Sequence, residues 1–175
     1  MTPDTDLIRG CIEGDRRMQE ELYRRFSPKM YALCLRYASN AEDAQDALQE
    51  GFVKVFRNLA NYRGTGSFEG WIRRIMVNTA IEQYRKSTNL FPVTEAMENT
   101  IKDTGWDVFD RMGTKDLHSC IRELPQGYRT VFNLYVVEEY THREIAEMLG
   151  ISEGTSKSQL ARAKTALREI VKRKS

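Results

Sequence analysis

Apolar residues recur at three- to five-residue steps along most of the chain, and no stretch alternates every second residue. Leu22, Phe26, Met30 or Tyr31, Leu33 and Tyr37 form one such stripe and predict a helix. Asn40 is placed to cap the next helix, with Glu42 and Asp43 in a first turn whose dipole favours acids. Ala44, Ala47, Leu48, Phe52, Val55 and Phe56 then fall on one face, and the pattern stops near Leu59. The segment Asn61 to Ser67 contains Gly64 and Gly66 and predicts a loop. Ser67 is placed to cap a third helix that carries Phe68, Trp71, Ile72, Ile75 and Ile81.

Periodicity weakens between Asn89 and Met112, where Pro92, Gly105 and scattered acids stand. It returns with the stripe Leu117, Ile121 and Leu124. Pro125 breaks that stripe and suits the start of the following helix, which carries Val131, Leu134 and Tyr135. The pattern therefore predicts an all-α protein of two small helical domains, residues 6–88 and 113–174, joined by a flexible linker over residues 89–112.

The stretch from Thr141 to Lys164 has the layout of a helix-turn-helix. Thr141 and Glu144 make a capping box. Ala146 is small enough for close helix packing, Gly150 can take the positive φ of the turn, and Ile151 plugs it. Ser152 caps a last helix running from Glu153 towards Val171. In such a motif the second helix enters the major groove with its N-terminal residues nearest the base edges. Lys157, Ser158, Arg162 and Lys164 are the candidate contacts, and the amides near Gly154 and Thr155 can hold a phosphate.

The overall charge of +2 singles out no partner, but its distribution does. From Ile151 onward seven basic residues face two acids, a local balance of +5. From Pro92 to Leu117 three basic residues face six acids, a balance of −3. A basic end behind an acidic connector suits a polyanion binder. With only His118 and His142, a protein-built zinc site is not expected. Cys11, Cys34 and Cys120 show no CxxC spacing and read as reduced thiols. No Walker-type loop or nucleophile constellation stands out, so neither an enzyme nor a cofactor or small-molecule substrate is expected. The N-terminal MTPDTDLIRG lacks a secretory pattern, and no apolar run approaches the ~18 residues of a membrane span, so a cytoplasmic location is expected.

The run from Asn40 to Ser87 closely resembles the promoter-opening domain of extracytoplasmic-function (group 4) sigma factors. The run from Leu117 to Ile170 resembles the −35-binding domain of the same family. The resemblance implies a helical core-binding and −10-binding domain, an acidic linker reaching into the polymerase, and a −35-binding helix-turn-helix domain. It implies that Asp43, Asp46, Gln49, Glu50 and Phe52 dock on the core RNA polymerase. Asp43, Asp46 and Glu50 lie three and four apart and are expected on one exposed face. The loop from Arg57 to Ser67 matches the family's −10 reading loop, in which a flipped base is captured. Arg57, Asn58, Asn61, Tyr62, Arg63 and Ser67 are its candidates. Arg73, Arg74, Asn78, Arg85 and Lys86 on the following helix would flank that DNA, whereas Phe68 and Trp71 are expected in the core.

In one respect the chain departs from the family. Ser156 stands where an apolar residue is more common, and looser packing is expected there; Ala161 is also small for a groove-facing position. The implied partners are core polymerase, promoter DNA and an anti-sigma factor. The alternative is a stand-alone helix-turn-helix regulator, which would need to dimerise to span two half-sites.

Overall fold

The acid at position 15 decides where the first long helix begins. In the computed structural model, which describes residues 1–87 and 113–174, helix α1 (Asp4–Ile12) is followed by Gly14 at a φ of +83°. The Asp15 carboxylate then accepts from the amides of Arg17 and Met18, at 2.8 and 3.4 Å, and starts α2 (Arg16–Tyr37). The domain expected over residues 6–88 thus opens with a separate helix ahead of the Leu22 stripe, because a left-handed glycine followed by a capping acid ends one helix and begins another. Gly10 lets the two helices approach closely: a Cβ there would lie 2.5 Å from Cγ of Met18.

Unit 1, Met1–Ser87, is built from α1, α2, α3 (Ala41–Asn58), a 3₁₀ turn (Leu59–Asn61) and α4 (Phe68–Ser87). Leu22, Phe26, Met30, Leu33 and Tyr37 of α2 are buried, so Met30 rather than Tyr31 fills the stripe. They meet Ala44, Ala47, Leu48, Phe52 and Val55 of α3 and Phe68, Ile72, Met76 and Ile81 of α4. Each large apolar side chain so removed from water contributes roughly 1.5–3 kcal/mol. Gly51 sits at the α3–α4 contact, where a Cβ would come within 2.3 Å of the Met76 sulfur.

Unit 2, Thr88–Ser175, contains α5 (Thr114–Arg122), α6 (Gln126–Phe132), a π-helical segment (Asn133–Val137), α7 (His142–Leu149) and α8 (Glu153–Lys174). Cys120, Ile121, Leu124, Val131, Phe132, Leu134, Ile145 and Leu149 pack around Leu160, Ala163, Leu167 and Val171 of α8. Glu123 anchors the far end of α8 through Arg173, at 2.5 Å, and Lys174. The π-helical segment, not foreseen from periodicity, widens the end of α6 and is followed by Glu139 at a φ of +59°.

No strand occurs among the described residues. The expected acidic linker, residues 89–112, lies outside them. All three cysteines are buried and free; burial pushes Cys34 up to about 12 and, with help from the charge of Asp15, Cys11 to about 11, so neither is a reactive thiolate. Among the described residues no helix is long and apolar enough to cross a membrane, and no metal-binding cluster of side chains occurs.

Candidate nucleic-acid and protein interfaces

The first candidate surface lies on α3. Asn40 accepts from the Asp43 amide at 2.8 Å and starts the helix as expected. Asp46 and Gln49 are exposed, whereas Asp43 is half-buried and receives the Asn40 side-chain amide at 3.1 Å. Glu50 is also half-buried. It accepts from Gln83 of α4 at 2.6 Å and pairs with Lys54 at 3.4 Å. Those contacts, the Gln83 hydrogen bond foremost, hold its carboxyl below the ordinary range. The carboxylates therefore share a face, but Glu50 is tied down to α4 and Asp46 is the one fully presented.

Phe52 is not on that exposed ridge. It is 3% exposed, with its ring 4.7 Å from that of Tyr23 and 6.4 Å from that of Phe56. Phe52 falls on the α3 face that meets α2, so it supports the surface from beneath. In its place the structure presents Tyr23, 39% exposed, Val53, 48% exposed, and half-buried Phe56. Tyr23 and Phe56 line a shallow groove of about 410 Å³ with Arg16, Gln19 and Glu20. Sequence pattern gave no reason to choose Tyr23, because it lies off the α2 stripe and its partners are on α3.

The second surface is the end of α3 and the loop after it. Arg57, Asn58, Asn61, Arg63 and Ser67 are exposed. Gly64 and Gly66, at φ of +73° and +77°, turn the chain where a Cβ would be strained. Tyr62 donates its hydroxyl proton to the Gly66 carbonyl at 3.0 Å. Its ring lies 5.3 Å from Phe68 and 5.5 Å from Trp71. Tyr62 is thus already packed in an aromatic cluster that shapes the loop. Phe68 is buried as expected, while Trp71 is only half-buried at the cluster's edge. Ser67 spends an acceptor on the Gly70 amide at 3.0 Å and keeps its hydroxyl proton for another partner. On α4, Arg74, Asn78 and Arg85 are exposed at spacings of four and seven residues, which puts them on one stripe. Lys86 is exposed beside it and Arg73 is half-buried.

The third surface is the helix-turn-helix. Glu144 accepts from the Thr141 amide at 2.8 Å and Thr141 accepts from the Glu144 amide at 3.2 Å, which closes the capping box. Gly150 turns at a φ of +66°, and the Ser152 hydroxyl accepts from the Thr155 amide at 3.0 Å. On α8, Gly154 and Lys157 are exposed, and Thr155, Ser158 and Arg162 are half-buried. Ser158 donates to the Thr155 carbonyl at 3.0 Å. Lys164 differs from Lys157 in placement: it is 8% exposed, on the α8 face that packs into the unit, whereas Lys157 is exposed. Ser156, the position where looser packing was expected, is fully buried and hydrogen-bonded to His142.

Comparison with known proteins matches each unit to a family pattern. The pattern of Sigma-70 region 2 matches residues 22–89, and that of Sigma-70, region 4 matches residues 114–167. The ECF RNA polymerase sigma-E factor of Haemophilus influenzae is 30% identical, over 98% of this chain and 94% of its own length. The RNA polymerase sigma-H factor of Pseudomonas aeruginosa is 29% identical, over 94% of this chain and 91% of its own. Among solved structures, CnrH in complex with the cytosolic domain of CnrY shares the fold with a TM-score of 0.53 at 20% identity, covering 98% of this chain and 99% of that one. The sigma factor RpoE of Bartonella quintana, solved with the anti-sigma factor NepR, does so with a TM-score of 0.51 at 18% identity, covering 87% and 96%.

Proposed function

The chain belongs to the extracytoplasmic-function sigma factors of the sigma-70 family, and on that premise we propose how its two units divide the work. The protein is an RNA polymerase sigma factor: it binds core polymerase and directs it to promoter DNA, where transcription begins. Unit 1 carries the core-enzyme and −10 contacts, and unit 2 carries the −35 contacts. The carrying observation is that one chain holds a region 2 pattern on unit 1 and a region 4 pattern on unit 2, in that order. A stand-alone regulator has no use for the first.

In unit 1 the core contact is Asp46 and Gln49 with Tyr23, Val53 and Phe56 beside them, polar groups next to an apolar patch. Asp43 and Glu50 hold the ends of that ridge, and Phe52 supports it. Capture of a melted strand falls to Arg57, Asn58, Asn61, Arg63 and Ser67, with Arg73, Arg74, Asn78, Arg85 and Lys86 along its path. Unstacking a base costs a few kcal/mol. Phosphate pairing, and stacking on the edge of the Tyr62–Trp71 cluster worth ~1–3 kcal/mol per base, can offset that cost. Promoter melting on this scheme is a redistribution of binding energy, and no bond is made or broken by the protein.

In unit 2 the start of α8 meets the major groove. Lys157 takes a phosphate, Arg162 and Ser158 reach base edges, and the amide at Gly154 donates to a phosphate, while the Thr155 amide, expected to do the same, is engaged by the Ser152 cap. An anti-sigma factor is the further partner, supported by the family and by the CnrY and NepR complexes of proteins with the same fold. The place of action is the compartment that holds the polymerase and the chromosome, the cytoplasm.

Reconstitution tests this scheme. Purified chain added to core enzyme is expected to form a complex and to give transcripts from a subset of promoters in a genomic library. Neither complex nor promoter-dependent transcript would overturn it.

A further inference from the structure

His142 opens α7, yet its ring is shared among three elements. Its Nδ1 lies 2.8 Å from Oγ of Ser156 on α8. One face of the imidazole stacks on Tyr135 of the π-helical segment, with ring centroids 4.4 Å apart and planes 18° from parallel. Ser156 is fully buried, and a buried hydroxyl is costly unless it is hydrogen-bonded. The partner it finds is 14 residues away, on the other helix of the motif.

A hydrogen bond fixes direction as well as distance, whereas apolar contacts are non-directional. Ser156 stands between Thr155 and Lys157 and two residues ahead of Ser158. Whatever sets the rotation of α8 at Ser156 therefore sets the aim of the side chains that face DNA. The tether is itself held: Tyr135 prevents the ring from swinging away, and the capping box fixes the start of α7 immediately beside it. From α8, Lys157, Lys164 and Glu153 act on the ring. Burial foremost, then the charge of Lys157, lowers the imidazole below its ordinary range, with Lys164 adding to this and Glu153 opposing it. At neutral pH the ring is uncharged, with one nitrogen donating and one accepting, so it pairs with a hydroxyl in either sense.

We propose that His142 is a positioning residue: through Ser156 it sets the rotation of α8, and so determines how selectively unit 2 recognises its DNA element. The proposal rests on the reading of unit 2 as the upstream DNA contact. It does not require His142 to touch DNA.

The test uses the full chain bound to core polymerase and promoter fragments selected by the wild-type holoenzyme from a random pool. Affinity is measured at one salt concentration for fragments with the upstream element intact or scrambled, and the ratio of the two is the readout. Circular dichroism at the assay temperature confirms that each variant is folded. His142→Ala and Ser156→Ala are each expected to lower the ratio about five- to tenfold, as loss of one oriented hydrogen bond would. Affinity for the scrambled fragment should not change, which a merely structural defect would not spare. The double variant should be no worse than either single one. His142→Asn, whose amide can stand where Nδ1 stands, should restore the ratio. Ser156→Val, a variant that keeps the site filled if the alanine changes unfold the unit, should lower the ratio. A Ser156→Val or His142→Ala holoenzyme with an unchanged ratio would overturn the positioning role. A wild-type ratio of one would instead overturn unit 2 as the upstream contact.

Discussion

Gln83 of α4 donates through its side-chain amide to the Glu50 carboxylate of α3, at 2.6 Å. Lys54 extends the link, pairing with Glu50 at 3.4 Å and with Glu82 at 2.8 Å. The helix expected to face the polymerase is thereby clamped to the helix expected to face melted DNA. A carboxylate that periodicity assigns to a free ridge is in fact a bracket between two helices.

This bracket has a pH signature. The Glu50 carboxyl is held below its ordinary 4.5, first by Gln83 and then by Lys54. A lowered carboxyl contributes stability that is present above pH 4.5 and is lost as pH falls through the folded value. Glu50 is 40% exposed, so solvent screening keeps this contribution below about 1 kcal/mol. In Gln83→Leu, an NMR carboxyl titration should move Glu50 upward. An unmoved titration would show that the amide is not what holds it.

Phe52 and Asp46 should separate stability from binding. Phe52→Ala empties a buried site touched by Tyr23 and Phe56 and is expected to cost about 3–5 kcal/mol of unit 1 stability. Asp46→Ala should leave melting within about 0.5 kcal/mol while weakening core-enzyme binding, because its side chain is exposed. Thermal melts paired with core-binding titrations decide this. A Phe52→Ala protein of wild-type stability would place that ring outside the core.

Two lysines of α8 make a matched pair. Lys157 is exposed and Lys164 is 8% exposed. Lys157→Ala should weaken DNA binding across sequences and lower the slope of affinity against salt by about one. Lys164→Ala should leave the slope unchanged. Arg162→Ala should cost about 1–3 kcal/mol on the preferred sequence and relax selectivity there. Equal salt slopes for the two lysine variants would count against the orientation of α8 described above.

Glu139 carries the only positive φ outside glycine among the described residues, at +59°. A side chain in the left-handed region costs roughly 1–2 kcal/mol, part of which returns as chain entropy in the unfolded state when glycine replaces it. Glu139→Gly is therefore expected to raise stability by about 1 kcal/mol, or about 4–8 °C in Tm for a domain of this size. A lower Tm would mean that the Glu139 side chain makes a contact worth more than the backbone strain.

Much of the architecture was legible before any coordinates. Asn40, Ser67, Thr141 with Glu144, Gly150 and Ser152 mark the helix ends they were expected to mark, because a cap acts over three or four residues and leaves its trace there. The break at Gly14 and Asp15 was written in the same vocabulary, but it lies ahead of the Leu22 stripe, where few apolar positions mark a helix. The π-helical segment left no such trace, since widening one turn shifts the phase of the face without changing its residue types.

The chain by itself determined that there would be helices, where most of them start, and which residue types stand ready for nucleic acid and polymerase. Only the tertiary structure decided which of those residues are presented. Periodicity gives the middle of a helix's buried sector but not its width, and the width depends on how many neighbours pack against it. That is why Lys164 went inward, why Tyr23 and Phe56 came to share a groove, and why Ser156, which looked like a packing flaw, met the one histidine able to satisfy it; Phe52 went where its periodicity had put it, against the docking role that the resemblance implied.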